Sequence, residues 1–158
     1  MALVARRSLF SLGTALLAAA GGTGSHAETL VGGRRLALRS YDPVAYFTLG
    51  RPEKGEEAFS FAFDDAVYRF STAEHRAMFV ADPERYAPQY AGFCAAGVSK
   101  GIKIEPDPEA WAIVGGKLYV VALKAKIDEF KRDPSAFVGN ADANWPLVRE
   151  SAPKTPLR

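Results

Sequence analysis

From Ala58 to Phe63 the chain alternates, with Phe59, Phe61 and Phe63 on one side and small or polar residues on the other. That period of two predicts a half-buried β-strand, and the apolar run Val67 to Phe70 after Asp64-Asp65 predicts its hairpin partner. A second hairpin is predicted from Trp111–Val114 and Leu118–Leu123, joined by Gly115-Gly116, a pair suited to a two-residue turn with positive φ. Helical signals lie between. Ser71 and Glu74 form a capping-box pattern for a helix through about Ala81, with Met78 and Phe79 on its buried side. Asp82-Pro83 and Asp133-Pro134 each read as an N-cap followed by a first-turn proline, and Asp42-Pro43 opens a short helix through Val44–Phe47. A further helix is predicted over Ala95–Lys100, and a last one is expected to stop before Pro146, after Asn144 and Trp145.

These signals repeat. An offset of 51 sets Tyr68-Arg69-Phe70 over Tyr119-Val120-Val121, Phe79 over Phe130, Asp82-Pro83 over Asp133-Pro134 and Tyr86 over Phe137, without a gap. The expected fold is therefore a small single α+β domain, in which two β-hairpins form an antiparallel sheet packed with several short helices, built as an internal pseudo-repeat. The same offset sets Trp145 over Cys94 and suggests that a thiol and an indole line one pocket.

The N-terminus reads differently. Arg6-Arg7, the apolar stretch Leu9–Ala20 and the small-residue run ending Ser25-His26-Ala27 have the layout of a cleaved export signal over residues 1–27. Paired arginines before Ser8-Leu9-Phe10 are compatible with a twin-arginine signal as well as an ordinary secretory one. The domain then spans residues 28–150, and 151–158, with Pro153 and Pro156, read as a flexible tail. The expected location is the periplasm. Without Arg6 and Arg7, 18 basic residues face 18 acidic ones, which leaves no electrostatic reason to bind nucleic acid or anionic lipid. No later stretch approaches the roughly 20 apolar residues of a membrane span, so no stable membrane insertion is expected.

Cleavage also thins the inventory of reactive side chains to one cysteine, Cys94, one histidine, His75, and one methionine, Met78. Structural zinc, which takes about four nitrogen or sulfur ligands, is excluded for a single chain unless carboxylates contribute. Copper(I) accepts two or three soft donors, and His75 and Met78, three apart on one predicted helix, form a candidate soft-metal site if Cys94 folds onto them. Alternatively Cys94 is a redox-active thiol, with a helix N-terminus and Arg76, Arg85 or Lys100 as the groups able to favour its thiolate. A third reading makes Cys94 structural, in a binding module whose Tyr41, Tyr46, Tyr90 and Phe93 wall a pocket for a small ligand or partner. Asp42, Asp107 and Asp142 are candidates for an oxygen-ligand site, although Asp42 is better explained as a cap. No nucleophile elbow accompanies the histidine, and no phosphate-cradling glycine loop is present.

Tyr41-Asp42-Pro43-Val44-Ala45-Tyr46-Phe47, Tyr68-Arg69-Phe70-Ser71 with His75 and Phe79, and Asp82-Pro83-Glu84-Arg85-Tyr86 resemble a YHS domain. Pro88–Ala95 and Ala141–Pro146 are similar to the exported bacterial subgroup of YHS domain-containing (seleno)proteins. The resemblance runs from about Leu38 to Leu147 and implies no settled activity. It implies kinship with cysteine-rich metal-binding modules, whose cysteine positions here read Ala45, Ser71 and His75, so only His75 retains a ligand. It also implies that the Cys94 position takes selenocysteine in some members, which points to redox chemistry or soft-metal ligation; among soft metals the donor set Cys94, His75 and Met78 favours copper.

Overall fold

The computed structural model describes residues 30–154. Residues 1–29, which include the expected export signal, and the last four residues lie outside them. The first unit contains β1 (Leu30–Val31), β2 (Arg34–Leu36), α1 (Ala45–Thr48), β3 (Glu56–Phe63), β4 (Ala66–Phe70), α2 (Ala73–Ala81) and α3 (Pro83–Tyr86). The second contains α4 (Ala95–Val98), β5 (Asp107–Val114), β6 (Lys117–Val121), α5 (Lys124–Arg132) and α6 (Pro134–Val148). The fold is a small single-domain α+β fold.

The repeat is structural. Strands β3 and β4 and helix α2 recur as β5, β6 and α5 with both ends of each element displaced by 51. Each hairpin even breaks register at the same place, between Glu56 and Ser60 in one and between Asp107 and Trp111 in the other. The hairpins do not share a sheet, however. The first belongs to a four-stranded sheet ordered β1-β2-β4-β3, in which β2 runs parallel to β4, while β5 and β6 form a separate antiparallel pair.

Each unit has its own core. Phe79 on α2 gathers the rings of Phe61, Phe63, Tyr68 and Phe70 within 5.0–6.2 Å, which explains the aromatic alternation in β3. In the second unit Phe130 takes the place of Phe79, packed against Tyr119 and Phe137 at 5.5 and 5.6 Å. Leu38, Tyr46, Leu118 and Val120 join the two. Their burial across the junction is what makes one domain of two repeats.

Several local expectations hold. Asp82 and Asp133 accept from the amides of Arg85 and Ala136, each with proline in the first turn behind it. Gly115 and Gly116 turn with φ of 56° and 76°, both in the region that glycine enters without strain. Two details differ. Thr72, not Ser71, caps α2, because the Ser71 hydroxyl is used elsewhere. Helix α6 runs through Pro146 to Val148 instead of stopping before it. In the expected tail, the Lys154 amide donates to the Lys103 carbonyl at 2.7 Å.

Candidate functional site

Asp42 lies after a left-handed run in which Leu38, Arg39 and Ser40 have φ of 50°, 50° and 72°. Its carboxylate has no exposed surface. Oδ1 accepts from the amides of Val44 and Ala45 at 2.8 and 3.3 Å, as the expected cap of α1. Oδ2 does more: it accepts from the Ser71 amide at 2.8 Å and the Ser71 hydroxyl at 2.7 Å, and meets His75 Nδ1 at 2.6 Å. The other ring nitrogen of His75 meets the Thr48 hydroxyl at 3.2 Å. A buried carboxylate is tolerated only with such a full set of partners, and this one ties α1, the end of β4 and α2 together.

Cys94 begins the second unit in the same way. Tyr90, Ala91 and Gly92 repeat the left-handed run with φ of 56°, 50° and 78°, now displaced by 52. The Cys94 amide donates to the Ile104 carbonyl at 2.9 Å, as the Asp42 amide donates to the Glu53 carbonyl at 2.8 Å. The thiol, in a residue only 4% exposed, accepts from the Gly97 amide at 3.4 Å and caps α4. Burial pushes its pKa up, against the amides of Gly97, Ala122 and Ala96 and the charge of Lys100, which pull the other way. Ala122 is the counterpart of Ser71 under the offset of 51, and Lys126 that of His75. Cys94 therefore stands where Asp42 stands, and the pairing with Trp145 read from the constant offset is replaced by one shifted through a single inserted residue. Trp145 instead packs near the same segment, against Tyr90 and Phe93 at 5.9 and 6.3 Å.

In the second copy the space is not closed by an ion pair. Cys94 faces a cavity of about 230 Å³ walled by Ile102, Ile104, Val121 and Phe137, with the exposed Lys100, Lys126 and Glu129 at its rim. Lys126 and Glu129 pair at 2.8 Å.

The three soft donors expected to meet are divided between the units. Cys94 belongs to the core of the second. Met78 packs on the core of the first, and His75 is committed to Asp42, Ser71 and Thr48. Among the described residues no group of three or more His, Cys, Asp or Glu side chains is arranged to hold a metal. Of the cations considered for Cys94, Lys100 is the one that acts on it; Arg76 donates to the Ser60 carbonyl, and Arg85 lies over Tyr86. The aromatic residues divide as well: Tyr46 donates to the Pro108 carbonyl at 3.0 Å, and Tyr90 donates to Asp142 at 2.8 Å. Burial of the Asp42 carboxylate could have been suspected only from the Ser71 and His75 positions that face it across the fold. No protein-family model, curated protein or solved structure matches the chain.

Proposed function

We propose that the chain is an exported binding module of the YHS type whose ligand site is the cavity floored by Cys94. One observation carries this reading: the buried thiol opens onto an apolar space of about 230 Å³, whereas its counterpart Asp42 is saturated by its own partners. Ligand cavities usually span about 300–1,000 Å³, so the fitting ligand is small and mainly apolar. Export rests on the charged, apolar and small-residue layout of residues 1–27; among the described residues no helix is long and apolar enough to cross a membrane.

Copper does not fit this wall. Cys94 is its single soft donor, and neither histidine nor methionine lines it. A second reading, chemistry at the thiol itself, is favoured by the Gly97 amide bonded to Cys94 Sγ and by the Ala122 and Ala96 amides, which also pull its pKa down. Burial opposes it and dominates at rest.

Titration with small aliphatic and aromatic fragments, followed by methyl NMR, tests the binding reading. Signals of Ile102, Ile104 and Val121 are expected to shift in the wild type and to stay fixed in Ala96→Trp, which fills the cavity. Wild-type methyls that ignore every fragment, beside a thiol that alkylates as fast as free cysteine, would transfer the function to the thiol.

A further inference from the structure

Three differences between the repeats shape the mouth of the Cys94 cavity. Ser71, Thr72 and His75 of the first unit correspond to Ala122, Leu123 and Lys126 of the second, and all three replacements line the cavity. Thr72 caps α2 by accepting from the His75 amide, whereas Leu123, at the same place on α5, supplies no side-chain cap. An aliphatic residue is among the poorest choices there. Burial does not compensate, since Leu123 is 51% exposed. The helix gives up a cap, and the cavity gains an apolar lip.

That apolar surface is presented to the opening. Ile102, Ile104 and Phe137 are only partly buried, and behind them lie Val121 and the thiol. Burial opposes ionisation of the thiol, so the interior offers hydrocarbon and neutral sulfur. The charged members of the lining, Lys100, Lys126 and Glu129, are all exposed.

Their charges do not cancel. Lys126 and Glu129 pair at 2.8 Å, about one turn apart on α5. Among the described residues Lys100 makes no ion pair, and its charge acts on both Glu129 and the thiol. Two ammonium groups therefore stand over an apolar interior against one carboxylate. An anion with an apolar tail meets both conditions: the tail displaces water from the hydrocarbon walls, and the head stays at the rim, where no charge is buried. A cation would find only Glu129, already bonded to Lys126.

We infer, building on the binding reading of this cavity, that its ligand is a small monocarboxylate seated tail-inward, with the carboxylate at Lys100 and Lys126. The space of about 230 Å³ suits a single ring or a short branched chain. Exposed ion pairs contribute little, so the tail supplies most of the affinity while the head sets orientation and preference.

The test titrates benzoate and 3-methylbutanoate beside their uncharged amides, benzamide and 3-methylbutanamide, and reads the methyl signals of Ile102, Ile104 and Val121. Each acid is expected to bind at least about threefold more tightly than its amide at low salt, an advantage that shrinks at about 1 M salt. Lys100→Gln should remove most of that advantage, and Glu129→Gln, which frees Lys126, should enlarge it about twofold. Both positions are exposed, so neither substitution disturbs the core. Acids and amides that bind equally, or a preference unmoved by Lys100→Gln, would overturn the carboxylate class and leave the cavity as a binding site. If acids and amides alike fail to move these methyls at tens of millimolar, the binding reading falls and the ligand class falls with it.

Discussion

Cys94 occupies in the second repeat the place that Asp42 occupies in the first. Both follow three residues of left-handed backbone, and the amide of each donates to a returning strand-entry carbonyl. Both side chains accept an amide bond from the start of a helix, and the amide just after the second hairpin strand bonds to Asp42 from Ser71 and lowers the Cys94 pKa from Ala122. The same backbone frame thus holds a fully bonded carboxylate in one copy and a thiol beside open space in the other. Such divergence is what a duplication permits: one copy ties its elements together, and under the proposed function the other is free to bind.

If Asp42 is the tie between α1, β4 and α2, its removal should be expensive. Asp42→Ala leaves the Ser71 amide and hydroxyl, the His75 ring and two amides of α1 without their acceptor. The expected cost is about 3 kcal/mol or more, typical of breaking a buried, hydrogen-bonded charge. Urea midpoints for Asp42→Ala, Ser71→Ala and wild type check this, with Ser71→Ala expected to lose about 1 kcal/mol. An Asp42→Ala variant within about 0.5 kcal/mol of wild type would remove the tie from the account.

Thiol reactivity should follow burial. The pKa of Cys94 is held above its ordinary value chiefly by desolvation. Alkylation of the folded protein near neutral pH is therefore expected to be slower than that of free cysteine, and to accelerate only at a pH above the usual thiol range of about 8.5. The same reagent in denaturant should react at the ordinary rate. A folded protein that alkylates faster than the denatured one would show that the amides of Gly97, Ala122 and Ala96 outweigh burial.

Alkaline pH should unfold the domain, with Cys94 and the tyrosines setting the course. Burial raises the Tyr68 pKa to about 12 and shifts those of Tyr46 and Tyr90 upward too, the last also through its bond to Asp142. In the unfolded chain these groups ionise at their lower, ordinary values. Between the two values the folded state holds more protons, so stability falls as pH rises. Their contribution is complete below the ordinary thiol range and is lost for Tyr68 by about pH 12. Urea midpoints should decline steadily above about pH 8.5, and Cys94→Ala should delay the onset of that decline. A flat profile through this range would contradict burial as the dominant influence.

Much of this architecture was readable in the residues. The offset of 51, the Asp-Pro helix starts and the Gly-Gly turn are local signals, and local backbone chemistry honours them. The site was less readable because its determinants are distant in sequence. Ser71 matched a capping box, but its hydroxyl is drawn to Asp42, 29 residues away, and Thr72 caps in its stead. His75 and Met78 share a helix, yet Cys94 packs with the other repeat, a division that helical spacing cannot reveal. The correspondence of Cys94 with Asp42 was hidden by one inserted residue, which moves the offset to 52 ahead of the hairpins.

Gly55 offers a test of the close approach between the first hairpin and the left-handed run. Its amide donates to the Ser40 carbonyl at 2.7 Å, and a Cβ there would lie 2.4 Å from the Arg69 carbonyl carbon. The obstacle is backbone, which cannot swing aside as a side chain would. Gly55→Ala is expected to lower stability by about 1–3 kcal/mol, read as a fall in melting temperature, whereas Gly50→Ala, with nothing within 4 Å of the added carbon, suffers only the milder strain of its positive φ. Equal losses at the two positions would show that the hairpin yields.

The equivalence of the two copies makes its own demand. Cys94→Asp alone buries a carboxylate beside the Gly97, Ala122 and Ala96 amides but provides neither the hydroxyl nor the imidazole that Asp42 enjoys, and should cost about 3 kcal/mol. Ala122→Ser and Lys126→His restore those partners at the positions corresponding to Ser71 and His75. If the frames match, the triple variant should recover at least about 1 kcal/mol beyond the sum of its separate changes, a coupling that a cycle of urea midpoints measures directly. The recovered protein should also have lost the fragment-induced shifts at Ile102, Ile104 and Val121, because an imidazole reaching the new carboxylate crosses the cavity that the thiol leaves open. Additive losses would mean that Cys94 and Asp42 share a backbone course without sharing a side-chain environment.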